Sequence, residues 1–118
     1  MNRRTAGRLG EDAACAALRR AGLEILARNV RRRTGEIDVV AREGETIAFV
    51  EVKARASLRY GRPAEAVNRA KQAKIVRTAA VWLAENGLED APARFDVVEV
   101  LPGSIRHIRA AFDATGLF

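Results

Sequence analysis

A chain of 118 residues supports one modest hydrophobic core, and 48% hydrophobic against 31% charged residues is an ordinary balance for a folded domain. No apolar run approaches the ~20 residues of a membrane span, and the single cysteine, Cys15, excludes an intramolecular disulfide or a cysteine-cluster zinc site. The net charge of +6 points to a polyanionic partner, and a net-acidic stretch, 34–53, lies between two basic ones, 1–33 and 54–77.

The N-terminus MNRRTAGRLGE is basic with no apolar stretch behind it, so it does not read as a secretory leader, and the chain reads as cytoplasmic. Thr5 to Ala21 is predicted as a helix closed by Gly22, the usual left-handed cap. On it Glu11, Ala14, Cys15 and Leu18 share one face, which aligns a carboxylate with an apolar stripe and makes Cys15 a small core residue. Leu23 to Arg31 reads as a first strand. Two β-like runs, GEIDVV (35–40) and FVEVKAR (49–55), then form a hairpin over 36–54 around Glu43-Gly44-Glu45. Glycine at the first central position suits a type II′ turn.

Arg55 to Arg62 is a basic loop containing Ser57, Tyr60 and Gly61. Pro63 suits the start of a second helix that runs to about Asn86 and stops at Gly87, with Ile75, Val76, Ala79 and Leu83 as its apolar stripe. ARFDVVEVL (93–101) and SIRHIR (104–109) read as strands around Pro102-Gly103. The tail from residue 110 reads as a loop or short helix whose Phe112 packs onto the body. The expected order is α-β-β-β-α-β-β in a single domain, 1–118.

The hairpin carries the chemistry. A two-residue turn at Gly44-Glu45 pairs Glu43 with Thr46 and so sets Asp38 directly opposite Glu51. Facing Cβ atoms lie roughly 4.5–5.5 Å apart, and like charges there are destabilising. A hard cation with oxygen ligands would convert that repulsion into coordination. Lys53, two residues past Glu51, projects from the same strand face. Val50 and Val52 alternate with Phe49, Glu51 and Lys53, so the strand is apolar on both sides short of its functional end, as a central strand covered by helices would be.

This order, with D…ExK on the second and third strands, resembles the PD-(D/E)xK nuclease superfamily, and GEID followed by FVEVKAR is most similar to the branch containing the archaeal Holliday-junction resolvases. The likeness extends to the uncharacterised bacterial YraN family through Gly10-Glu11, Arg28-Asn29, GEID, VEVK-x-R, Lys71 and the late RFDVV (94–98). One departure is that no proline precedes Asp38. The resemblance implies an α/β, restriction-endonuclease-like αβββαβ core whose central mixed sheet is flanked by helices. It implies a metal-dependent endonuclease that hydrolyses DNA phosphodiester bonds, in branched or repair intermediates, and works as a homodimer with no part in a membrane. Asp38 and Glu51 would be ligands of magnesium or manganese, with the Val52 carbonyl a third and Glu11 reaching the site through water or a second ion. Lys53 would orient or deprotonate the attacking water, or stabilise developing charge. Lys71 or Gln72 would hold a phosphate, and Arg31, Arg33, Arg55, Arg59 and Arg62 would contact the nucleic-acid backbone.

Each assignment has a plainer competitor. Asp38, Glu51 and Lys53 could form an ion-pair ladder on an exposed strand, with Lys53 facing Glu36. Glu11 could complement a helix dipole, Lys71 could be a solvated helix-flank residue, and the arginines could merely keep a loop soluble. His107, the one histidine, reads as structural, and Trp82 and Tyr60 are too isolated for a base-stacking platform. The alternative at the level of function is a non-catalytic nucleic-acid-binding module that retains the nuclease fold.

Overall fold

The structure, a computed structural model, describes residues 3–55 and 67–114. Its elements run α1 (Arg3–Arg20), β1 (Glu24–Arg32), β2 (Gly35–Glu43), β3 (Thr46–Ala54), α2 (Arg69–Glu85), β4 (Ala93–Leu101) and β5 (Ser104–Phe112). The strands form one sheet in the order β1-β2-β3-β4-β5. Only β3 and β4 are parallel, the connection that α2 spans; the other neighbours are antiparallel. The expected element order and mixed sheet are therefore present.

Each helix covers one face, and the period of two along β3 assigns its residues between them. Beneath α1, Ala14, Cys15 and Leu18 pack on Val39, Ala41, Ala48, Val50 and Val98. Beneath α2, Ile75, Val76, Ala79 and Trp82 pack on Val40, Ile47, Phe49, Phe95 and Val97. Phe49 meets Trp82 edge-on at 5.9 Å and stacks on Phe95 at 5.7 Å, so Trp82 is a core residue and not a stacking platform. The hairpin turn is as expected: Gly44 takes φ +61 and Glu45 stays out of the left-handed region, the combination a type II′ turn needs.

Three boundaries differ. The helix α2 begins at Arg69, not at Pro63, because Asn68 is its N-cap: its backbone is extended and its side chain accepts a hydrogen bond from the Lys71 N–H at 3.0 Å. Strand β5 continues through Phe112 where a loop or short helix was expected. Asp96 receives the N–H of Ala110 at 3.0 Å, stabilising an irregularity in the β4–β5 pairing, and Phe112 stacks on Phe95 at 5.1 Å. The helix α1 starts at Arg3, so Glu11 lies mid-helix, beyond the turn where a dipole acts on it. Ser57, Arg59, Tyr60, Gly61, Arg62 and Pro63 lie outside the described residues.

Candidate active site

The hairpin ladder runs in the expected register from Glu43↔Thr46 to Val39↔Val50 and ends there, one pair short of Asp38 and Glu51. Beyond that point the two strands keep only their outer neighbours. Ile37 pairs with Val30 on β1, and Val52 pairs with Val98 on β4. The strict cross-strand pairing of Asp38 with Glu51 is thus replaced by a notch between parting strands. The Val52 N–H turns into it and donates to Asp38 Oδ2 at 2.8 Å. Face alternation slips at the same place: Ile37 and Val40 pack beneath the same helix, although residues three apart on a regular strand face opposite ways.

Asp38 and Glu51 meet in this notch closely enough to share a hydrogen bond between carboxyls. Burial, followed by the Asp38 charge, pushes the Glu51 carboxyl up to about 8. Burial also raises Asp38, against the lowering effect of the Val52 N–H, the Glu51 carboxyl and Lys53. Two like charges this close disfavour each other's ionisation, so the pair takes up a proton more readily than an isolated carboxyl. Glu51 Oε2 is buried with no hydrogen-bond partner among the described residues, while Oε1 lies 3.9 Å from Lys53 Nζ. The Glu51 and Lys53 side chains are only 16% and 24% exposed, on a strand with neighbours on both sides. An ion-pair ladder on an exposed strand is excluded, and Glu36 pairs with Arg31 at 3.4 Å.

Glycines bring both helices close to the notch. A Cβ on Gly10 would stand 2.9 Å from the Ala54 Cβ, so only glycine lets α1 approach the end of β3. The next residue, Glu11, is 12% exposed, and its Oε1 accepts from Arg28 Nε at 2.8 Å and Asn29 Nδ2 at 3.1 Å. Asn29 holds a left-handed backbone, φ +53, which asparagine tolerates better than most residues. Glu11, Asp38, Val52, Lys53 and Ala54 line a recess of about 350 Å³ on the α1 side. A second recess, about 180 Å³, opens on the α2 side between Gly35, Glu36, Glu51, Lys53, Val67, Lys71, Lys74 and Ile75.

Of the sequence-predicted residues, the structure brings together Asp38, Glu51, Val52, Lys53, Glu11 and Lys71. Gln72 does not line either recess; its Nε2 donates to the Val67 carbonyl at 3.0 Å and its Oε1 is buried with no hydrogen-bond partner among the described residues. Arg31 and Arg33 are exposed at the β1–β2 connection, and Arg55 is half-buried at the end of β3, with its N–H bonded to the Val100 carbonyl. His107 is structural as expected, 2.8 Å from the buried Asp96. Two residues went unnoticed in the sequence. Lys74 lines the α2-side recess, and Glu99, fully buried on β4, pairs in register with Lys53. Only the scarcity of lysine pointed to the first, and an acid inside an apolar strand to the second.

Among the described residues no three His, Cys, Asp or Glu side chains converge as a ready metal cage. The donors nevertheless suit a hard divalent cation. Burial raises both carboxyls, and one buried oxygen lacks a partner. A magnesium-type site needs few protein ligands beside water and phosphate. With Glu11 Oε1 committed to Arg28 and Asn29, its Oε2 is the atom left for a ligand of the α1-side recess.

The helix-flanked mixed sheet is a restriction-endonuclease-like core, with its acidic pair where the second and third strands part. Residues 10–100 match the family described as Uncharacterised protein family UPF0102, the YraN family, and the chain belongs to it. It is 51% identical to a UPF0102 protein of Symbiobacterium thermophilum over 92% of each chain. It is also 54% identical to one of Acetivibrio thermocellus, over 84% of this chain and 77% of that protein, and 55% identical to one of Desulforapulum autotrophicum, over 80% and 78%. Among the described residues no helix is long and apolar enough to cross a membrane.

Proposed function

We propose that this protein is a metal-dependent endonuclease that hydrolyses DNA phosphodiester bonds in branched or repair-intermediate duplex, two copies acting together to cut two strands. The observation that carries this reading is the under-satisfied carboxyl pair of Asp38 and Glu51, with a lysine beside it. Asp38, Glu51 and the Val52 carbonyl would hold magnesium or manganese, an ion that supplies Lewis acidity to a phosphodiester and activates water. The chain's own contribution is positional. The Val52 N–H fixes Asp38, burial keeps the pair short of solvent, and Lys53 places a cation where phosphoryl charge grows. Arg31, Arg33 and Arg55 would contact backbone phosphates.

The test is cleavage of branched, nicked and single-stranded DNA with magnesium or manganese. Asp38→Ala and Lys53→Ala should each lose at least about 100-fold in rate. Rates equal to the parent would refute the mechanism. A second reading, a nucleic-acid-binding module without turnover, draws on the net charge of +6. Its signature is salt-sensitive DNA binding, weakened by Arg55→Glu, with no cleavage in any divalent ion.

A further inference from the structure

Three of the 21 basic residues are lysines, and all three, Lys53, Lys71 and Lys74, line the recess on the α2 side of the carboxyl pair. Among the described residues no arginine lines it. In a chain that otherwise uses arginine for positive charge, this segregation calls for a physical reason. A guanidinium is planar and presents a rigid fork, whereas an ammonium is a compact point charge with three freely directed donors. A recess of about 180 Å³ walled by Gly35, Val67 and Ile75 leaves room for the compact group and a small ligand.

The fold brings the three cations together at some cost. A Cβ on Gly35 would meet the Lys74 Cβ at 3.2 Å and Thr78 Oγ1 at 3.3 Å, so glycine is what lets this part of α2 lie close against β2. Lys71 and Lys74, three residues apart on α2, form a like-charged pair that is destabilising by itself. Neither forms an ion pair among the described residues, and Lys53 has only Glu51, at 3.9 Å. Among the described residues, Glu36 and Glu51 are the acids of the recess and leave an excess of positive charge. A small anion carrying one or two charges would offset it.

We propose that Lys71 and Lys74, with Lys53 shared between the two recesses, form a second phosphate-binding subsite beside the phosphodiester at the carboxyl pair. The proposal rests on the reading of that pair as a phosphodiester site and adds a second phosphate contact on the α2 side. Its ligand is either the neighbouring diester of a continuous strand or the terminal monoester of an interrupted one.

The lysine count makes a direct test. Labelling the full chain with ¹⁵N-lysine gives three backbone amide signals, all from residues of the recess. They are followed without divalent ions during titration with inorganic phosphate, then with short duplexes bearing a 5′-phosphate or a 5′-hydroxyl. All three signals are expected to shift together and saturate. Lys71→Gln and Lys74→Gln should each weaken phosphate affinity by about threefold or more, the scale of one exposed charge pair. Arg77→Gln, on the same helix but outside the recess, should not. Tighter binding of the 5′-phosphorylated duplex identifies a terminal monoester; equal binding identifies a backbone diester. Linear, unsaturated shifts, or equal weakening by Arg77→Gln, would overturn the proposal. Cleavage is not read, so a chain that binds phosphate here yet cuts nothing would keep the subsite and lose the nuclease.

Discussion

Two buried acidic sites in the same sheet are treated in opposite ways. Asp96 on β4 is wholly enclosed and fully answered: Arg94 Nε lies 3.1 Å from both its oxygens, His107 Nε2 is 2.8 Å from Oδ2, and the Ala110 N–H donates to Oδ1. Burial pushes its pKa up, but the hydrogen bonds from His107, Ala110 and Arg94 outweigh burial and hold it below the usual carboxylate range. Asp38 and Glu51 have each other, one backbone N–H on Asp38 and Lys53 at 3.9 Å from Glu51; Glu51 retains an unpartnered oxygen, and both are pushed up instead. A buried carboxylate that serves the fold is compensated by the fold. One left short of partners costs stability until something else binds, and this contrast separates a structural acid from a candidate catalytic one.

The contrast breaks most visibly at Asp96. Asp96→Ala leaves Arg94 with Glu43 alone, takes the partner from His107 and releases the Ala110 turn, and should cost about 3 kcal/mol in denaturant unfolding. A loss below about 1 kcal/mol would mean the network is ornamental. Glu51→Gln should do the reverse in metal-free protein. Glu51 is raised, so its favourable contribution is complete below its ordinary pKa of 4.5 and fades as pH climbs through about 8. Asp96 is lowered, so its contribution is complete above its ordinary pKa of 3.8 and fades in acid. The stability of the parent against unfolding should therefore fall between pH 4.5 and 8 with a slope that Glu51→Gln flattens, and near pH 9 the variant should be more stable by about 1–2 kcal/mol. Parallel pH profiles would remove the electrostatic contrast. The smallest effect is expected at Gly10→Ala. A helix gains about 1 kcal/mol from that change, but forcing a methyl against Ala54 costs about 1–3, for a net loss near 1 kcal/mol by thermal unfolding.

Much of this architecture was legible because local signals sufficed. The Gly44 turn set the hairpin register, and strand alternation placed β3 in the centre of the sheet. What escaped depended on contacts distant in sequence. The ladder stops at Val39↔Val50 because β1 and β4 hold the strands apart beyond it and the Val52 N–H has Asp38 to bond. Strand β5 runs on to Phe112 because Asp96, fourteen residues before Ala110, anchors the irregularity. Pro63 and Asn68 are both valid helix-start signals, and the second one caps α2. Glu11 was legible as an oddity on an apolar face, but its clamp by Arg28 and Asn29 was not, since those residues are seventeen and eighteen positions away.

Calorimetric titration of manganese into metal-free protein near neutral pH tests the central claim most directly. If Asp38 and Glu51 are an under-satisfied ligand pair, the parent should bind the ion and release about one proton per site, read from the heats in buffers of different ionisation enthalpy. Glu51→Gln should then bind at least about tenfold more weakly and release none. Binding of equal strength in the two proteins, or no binding in the parent, would contradict the account.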